Sequence, residues 1–170
     1  LMETPSSESQ SRVAPHPGLV AAGLVCLLLV IYWPSLTGDF LWDDDDYVEY
    51  NQTLESLEGL GQIWFELCAV PQYYPLVHTT YWIEFRLWDR WSTGYRITNL
   101  LLHGANCCLL FLILRRLKIP GALLAALIFA THPIMVESVA WITERKNVLS
   151  LFFYLWTLLI SIPLFRLDPE

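Results

Sequence analysis

Four consecutive carboxylates, Asp43 to Asp46, lie between Trp42 and Tyr47, shortly after an uncharged apolar segment. Partial desolvation at an interface raises the pKa of a carboxyl group, and two neighbouring carboxylates can bind one cation. The run could therefore supply a general base or a ligand for a divalent metal. Four adjacent acids cannot all act on one centre, and a solvated acidic cap explains the run equally well.

A second polar cluster contains His132, Glu137 and the stretch Arg145-Lys146-Asn147. Arginine pairs bidentately with phosphate and lysine attracts it as a point charge, so this cluster could hold a lipid-linked phosphate. The alternative is a solvated loop in which Glu137 pairs with Arg145, and from these residues alone that alternative is favoured.

Asn99, His103 and Asn106 interrupt an apolar segment at spacings of four and three residues, which places them on one helix face. Polar groups inside a membrane span usually face other helices, where they mark function or join helices by hydrogen bonds. We expect Asn99 and His103 to give polar support to a site, with interhelical bonding as the alternative that is favoured for Asn106.

The elements that must position these residues are apolar helices. The chain has 170 residues, of which 55% are hydrophobic, and the apolar residues come in blocks. This pattern predicts an all-α polytopic membrane protein with about four transmembrane helices. The predicted spans are residues 18–36, 94–114, 122–136 and 148–164.

Between the first two spans, residues 37–93 are predicted to form a long loop that carries the acidic motif and two amphipathic interfacial helices. Residues 1–17 are rich in Ser, Pro and Glu and are predicted to be a disordered tail. Residues 115–121 form a turn, residues 137–147 form a second loop, and residues 165–170 form a truncated end.

Positive charges in short loops predict the orientation of the spans. Arg115, Arg116 and Lys118 form the strongest positive cluster, which assigns their turn and the 1–17 tail to the cytoplasm. Loops 37–93 and 137–147 are then both extracytoplasmic, so the two polar clusters share one membrane face. The net charge of -7 argues against nucleic acid as a partner, and the four cysteines form no C-x-x-C pair.

Four blocks of the sequence are distinctive: FLWDDDDYVEYNQTL, QYYPLVHTTYWIEFRLW, GYRITNLLLHGAN and ATHPIMVESVAWITERKNVLS. Together they resemble the membrane part of bacterial tetratricopeptide-repeat (TPR) membrane proteins, which are similar to the eukaryotic transmembrane-and-TPR protein O-mannosyltransferases. The resemblance covers about residues 19–165. It implies a GT-C type glycosyltransferase, with a GT-C-like N-terminal part.

By the same resemblance, Asp43 and Asp44 match the family's paired catalytic acids, as a general base for an acceptor hydroxyl or as ligands for a metal on the donor phosphate. His132, Glu137 and Arg145 match its second outer-loop motif, in which Arg145 contacts the donor phosphate. No cofactor other than a divalent metal is implied.

The function implied is transfer of a mannose-like sugar from a polyprenyl-phosphate donor to a protein hydroxyl or a glycan acceptor. The alternative is a non-catalytic membrane anchor for C-terminal TPR repeats that bind other proteins. The compartment is the bacterial inner membrane, or the endoplasmic reticulum membrane in a eukaryote. Because the chain begins with Leu1 ahead of Met2 and ends soon after an apolar segment, we expect an N-terminal fragment that is inactive alone.

Overall fold

The computed structural model describes residues 16–165, and these contain helices and no strand. The predicted tail 1–17 and the predicted end 165–170 therefore lie almost entirely outside the described residues. The helices are α1 (Pro17–Leu36), α2 (Leu57–Phe65), α3 (Pro75–Trp88), α4 (Ser92–Arg116), α5 (Ala122–Thr131), α6 (Met135–Ala140) and α7 (Arg145–Leu164).

Three of the described helical stretches are long and apolar enough to cross a membrane: α1, α4 and the stretch Ile142–Leu164 that includes α7. The predicted class, an all-α membrane protein, is confirmed. The fourth apolar helix, α5, has ten residues. At 1.5 Å per residue it reaches about 15 Å, roughly half of a hydrocarbon core.

The predicted third span, residues 122–136, is not one continuous helix. Helix α5 ends at Thr131, His132 is extended with a ψ of 129°, and α6 begins at Met135. The cause is Pro133, whose ring disfavours helical backbone in the residue before it. The backbone N–H of Met135 then donates to the His132 carbonyl at 2.9 Å, which closes a turn and restarts the helix.

Helix α4 is the central element, and it packs against α1, α5 and α7. The buried side of α1 recurs every four residues, which is the spacing of one face of a helix. Its members are Val20, Leu24, Leu28, Tyr32 and Leu36. They share one apolar core with Leu100, Cys107 and Phe111 of α4. This packing fixes the end of α1 and the start of α4, between which the long loop is held.

The long loop 37–93 has an apolar core of its own, formed by the acidic segment, α2 and α3. Its buried members include Tyr47, Val48, Leu54, Ile63, Val77 and Tyr81, and Tyr95 of α4 and Ile142 pack with them. Within α2, Ile63 is buried whereas Leu57 and Trp64 are exposed. The buried face of α2 is therefore formed by Gly59 and Ile63.

Candidate functional site

The four aspartates do not share one environment. Asp44 is fully buried, Asp45 is partly exposed, and Asp43 and Asp46 are exposed. Residues Asp45–Glu49 form a single π-helical turn that follows directly on Asp44, and successive side chains along such a turn point in different directions. The run therefore contains one carboxylate that belongs to the protein interior and two that face outward.

The buried carboxylate of Asp44 fastens two parts of the chain. Its Oδ2 accepts the backbone N–H of Leu41 at 3.1 Å, and its Oδ1 accepts the backbone N–H of Thr143 at 3.0 Å. Burial raises the pKa of the Asp44 carboxyl, while the two N–H donors and the charge of Arg96 act in the opposite direction. Asp44 thus joins the acidic run to the segment just before α7.

The backbone between these contacts is strained at Trp42. This residue has a φ of +51°, in the left-handed region that bulky L-residues rarely adopt. Its side chain is 76% exposed, and its ring meets the edge of the Trp141 ring with centroids 4.9 Å apart. Strained backbone of this kind persists only where surrounding contacts enforce it, and it clusters at functional sites.

Arg96 is a site residue that the sequence reasoning missed. It is 2% exposed, and its guanidinium donates to the carbonyls of Gly38, Asp39 and Ala140. A signal was available, since Arg96 lies inside the predicted span 94–114, and a charged side chain within a span usually faces protein and has a specific partner.

Arg145 does not lie on a surface where an incoming phosphate would meet it. Its side chain is fully buried and forms an ion pair with Glu84 of α3. It also donates to Asn99 at 2.8 Å, to Thr80 at 2.9 Å and to the Tyr95 carbonyl at 2.8 Å. The alternative pairing with Glu137 does not occur, because α7 begins at Arg145 and its side chain extends between α3 and α4.

His132 and Glu137 are exposed, and neither is hydrogen-bonded to Asp43 or Asp44 within the described part of the chain. The nearby Glu144 instead accepts from Lys146 at 2.6 Å and from Asn147 at 2.5 Å. The structure therefore joins the acidic run to the second polar cluster through the backbone of Thr143 and not through the side chains that the sequence singled out.

The polar residues of α4 join helices. The Asn99 side chain accepts from Arg145 and donates to the Trp141 carbonyl at 3.0 Å. His103 Nε2 donates to the Ala130 carbonyl at 3.3 Å, and Asn106 donates to the Val148 carbonyl at 2.9 Å. Of these three residues, Asn99 contacts the second polar cluster directly, because it is hydrogen-bonded to Arg145 and to the Trp141 carbonyl at the C-terminal end of α6.

The residues present do not fit a divalent cation well. Among residues 16–165 no group of three or more His, Cys, Asp or Glu side chains is arranged to hold a metal. Asp44 is a poor metal ligand, because both of its oxygens already accept backbone N–H groups. Asp43 is then the available carboxylate of the predicted metal pair, whereas calcium takes six to eight oxygen ligands.

A groove of about 600 Å³ lies between the start of α3 and the first turns of α7. Tyr73, Tyr74, Lys146 and Asn147 give it polar groups, and Leu76, Leu149 and Phe153 give it an apolar floor. Because α7 is one of the long apolar helices, the apolar part of the groove continues along a membrane-compatible surface.

Comparison with known proteins confirms the resemblance to protein O-mannosyltransferases. The chain is 29% identical over 163 residues to protein O-mannosyl-transferase TMTC4 of Homo sapiens, which covers 81% of the chain and 22% of that protein. It is 31% identical over 142 residues to protein O-mannosyl-transferase tmtc2 of Xenopus laevis, which covers 77% of the chain and 17% of that protein. A protein O-mannosyl-transferase of Caenorhabditis elegans is 26% identical over 82% of the chain and 22% of its own length.

The chain thus spans about a fifth of the length of these relatives. No protein-family model and no solved structure matches it.

Proposed function

We propose that this chain forms the N-terminal membrane part of a GT-C type glycosyltransferase that moves a mannose-like sugar from a polyprenyl phosphate to a hydroxyl group. The names of the relatives support sugar transfer to a hydroxyl. The observation that carries the proposal is the exposed carboxylate of Asp43 on a turn held rigidly by buried contacts, next to the exposed ring of Trp42.

In the proposed reaction Asp43 is the general base. Its carboxylate accepts the proton of the acceptor hydroxyl while the hydroxyl oxygen forms a bond to the anomeric carbon of the sugar. The bond from that carbon to the phosphate oxygen breaks, and the polyprenyl phosphate leaves with the electron pair. Attack on the face opposite the phosphate inverts the anomeric configuration. The proton then passes from Asp43 to solvent.

Asp44 has a different role in this proposal. Both of its oxygens are committed to backbone N–H groups in a site closed to solvent, so it braces the turn and does not exchange protons with the acceptor. This assignment separates the two carboxylates that the sequence treated as one catalytic pair.

The donor class rests on the family resemblance and on the character of the molecule as a membrane protein. The groove between α3 and α7 is lined by both polar groups and apolar side chains, some of them from a long apolar helix, which suits the polarity of a lipid phosphate. Arg115, Arg116 and Lys118 favour a cytoplasmic position for the turn after α4. The acidic turn would then face the extracytoplasmic side of a multi-pass protein in the bacterial inner membrane or the endoplasmic reticulum.

The test uses the full-length protein in detergent or proteoliposomes, a mannosyl polyprenyl phosphate as donor, and a hydroxyl-bearing polypeptide as acceptor. The double variant Asp43→Asn/Asp44→Asn should lose sugar transfer while it still inserts into membranes. Unchanged transfer by the double variant would contradict the proposal. A wild-type protein that binds partner proteins through downstream repeats and transfers no sugar would favour the anchor function instead.

A further inference from the structure

Arg96 lies where three parts of the chain meet. It is on the second turn of α4, and its guanidinium donates to Gly38 and Asp39 of the long loop and to Ala140 at the end of α6, the last at 3.2 Å. All three acceptors are backbone carbonyls, which a planar fork of donors can reach together and an ammonium group cannot. The arginine therefore connects residues 38–39, at the start of the acidic segment, to the C-terminal end of α6.

The other side of the same segment is fastened by Asp44. Its carboxylate receives the Leu41 and Thr143 backbone N–H groups. The Gly38 carbonyl also accepts from the hydroxyl of Ser92 at 2.8 Å, which adds a second donor from the start of α4. Residues 38–44 are thus held at both ends against residues 140–143.

Between these two fastenings lies Trp42 with its φ of +51°. A bulky residue in this conformation is strained, and the chain would relax if the contacts of Arg96 and Asp44 were lost. Asp43 is the next residue, so relaxation of Trp42 would turn its carboxylate away from its present direction. A displacement of about 1 Å in a reacting group can cost about 100-fold in rate.

We propose that Arg96 is a positioning residue, which together with Asp44 holds the Trp42 turn in its strained conformation and thereby aims the Asp43 carboxylate. The reacting role of Asp43 rests on the proposed function, whereas the fastening itself does not. Arg96 contacts neither donor nor acceptor in this assignment and acts through the backbone of residues 38–44.

The fastening is tested by hydrogen–deuterium exchange on the full-length protein, with wild type compared with Arg96→Lys. Exchange should rise by about tenfold in the peptides that contain Leu41 and Thr143, because their N–H bonds to Asp44 open more often. It should stay unchanged in residues 57–65 of α2. The matched control is Arg90→Lys, which alters an exposed arginine bonded to Glu55 and to the Glu49 carbonyl and should leave the Leu41 and Thr143 peptides unchanged.

A second-site variant distinguishes positioning from general support of the fold. Asparagine enters the left-handed region more readily than tryptophan. In the Arg96→Lys background, Trp42→Asn should therefore return exchange at Leu41 toward the wild-type value. Unchanged exchange in Arg96→Lys, or a uniform rise that includes α2 and is not relieved by Trp42→Asn, would overturn the proposal.

Transfer kinetics provide the second measurement. Arg96→Lys should lower kcat by about 100-fold while the KM for the donor changes little, because the variant displaces a reacting group and removes no substrate contact. A raised KM with unchanged kcat would overturn the proposal by assigning Arg96 to substrate binding. Absence of transfer by the wild-type protein would contradict the proposed function, and the exchange result would still decide whether Arg96 holds the turn.

Discussion

The Glu84 carboxylate and the Arg145 guanidinium form an ion pair inside the protein, where Glu84 is 4% exposed and Arg145 is 0% exposed. The pair joins α3 to the start of α7, and Asn99 and the Tyr95 carbonyl of α4 complete the contacts of the arginine. Burial raises the pKa of the Glu84 carboxyl, and the positive charge of Arg145 opposes that rise. This ion pair thereby attaches the long loop to the start of α7.

Removal of the Glu84 charge should be costly. Glu84→Gln leaves the buried guanidinium without its counterion, which we expect to lower the free energy of unfolding by about 3–5 kcal/mol. Thermal or denaturant unfolding in detergent measures this loss. The matched control is Glu55→Gln, which breaks the exposed pair with Arg90 and should cost less than about 1 kcal/mol. Equal losses in the two variants would contradict the account of the buried pair.

Two glycines of α2 should respond in opposite directions to the same substitution. A Cβ on Gly59 would overlap the backbone carbonyl of Thr53, whereas a Cβ on Gly61 meets nothing within 4 Å. Gly61→Ala should therefore stabilise the protein by about 0.5–1 kcal/mol through helix propensity, and Gly59→Ala should destabilise it. Denaturant unfolding of both variants tests this, and a stabilising effect of Gly59→Ala would show that α2 does not pack on Thr53 as described.

His78 should make the long loop sensitive to acid. It is fully buried, stacks on Tyr47 with centroids 5.3 Å apart, and is hydrogen-bonded through Nε2 to the Gln72 carbonyl at 3.2 Å. Burial lowers the pKa of His78 from 6.5 to about 4. Because the folded state holds the neutral form, its contribution to stability is present above pH 6.5 and is lost as the pH falls toward 4.

The loss corresponds to about 3 kcal/mol at full protonation. His78→Phe retains a ring beside Tyr47 and cannot titrate. As the pH falls from 6.5 to 4, the free energy of unfolding should therefore decrease more in wild type than in the variant. The measured quantity is the difference between the two free energies of unfolding at each pH. Parallel pH dependence of the two proteins would show that His78 is not held neutral.

The sequence was sufficient for the helical class and for the stretches that carry the long apolar helices. The segments 18–36, 94–114 and 148–164 chosen from hydropathy occupy the positions of α1, α4 and α7. A continuous apolar segment is a property of neighbouring residues, so it can be identified from the sequence alone. The break at His132 was also signalled locally by Pro133, but the apolar residues on both sides of it favoured one longer segment.

The site was less predictable because its contacts join distant residues. Asp43 and Asp44 are adjacent and chemically identical, and their different burial depends on an N–H donor 99 residues away at Thr143. Arg145 was assigned to a phosphate because its partner Glu84 lies 61 residues earlier in the sequence. Neither of these long-range contacts produces a periodic pattern in the sequence. The identity of one residue also does not show whether an arginine is buried in an ion pair or exposed as a free charge.

The different roles of the acids provide the most direct test of the central claim. Asp43 and Asp46 are both exposed carboxylates of the same run, so Asp46→Asn is a matched control for Asp43→Asn. In the full-length protein, the rate of sugar transfer from a mannosyl polyprenyl phosphate should fall by about 10²–10⁴-fold in Asp43→Asn, the usual effect of losing a general base. The rate should be unchanged in Asp46→Asn, and both variants should unfold at the wild-type temperature. Wild-type transfer by Asp43→Asn, or an equal loss in Asp46→Asn, would contradict the assignment of Asp43 as the reacting carboxylate.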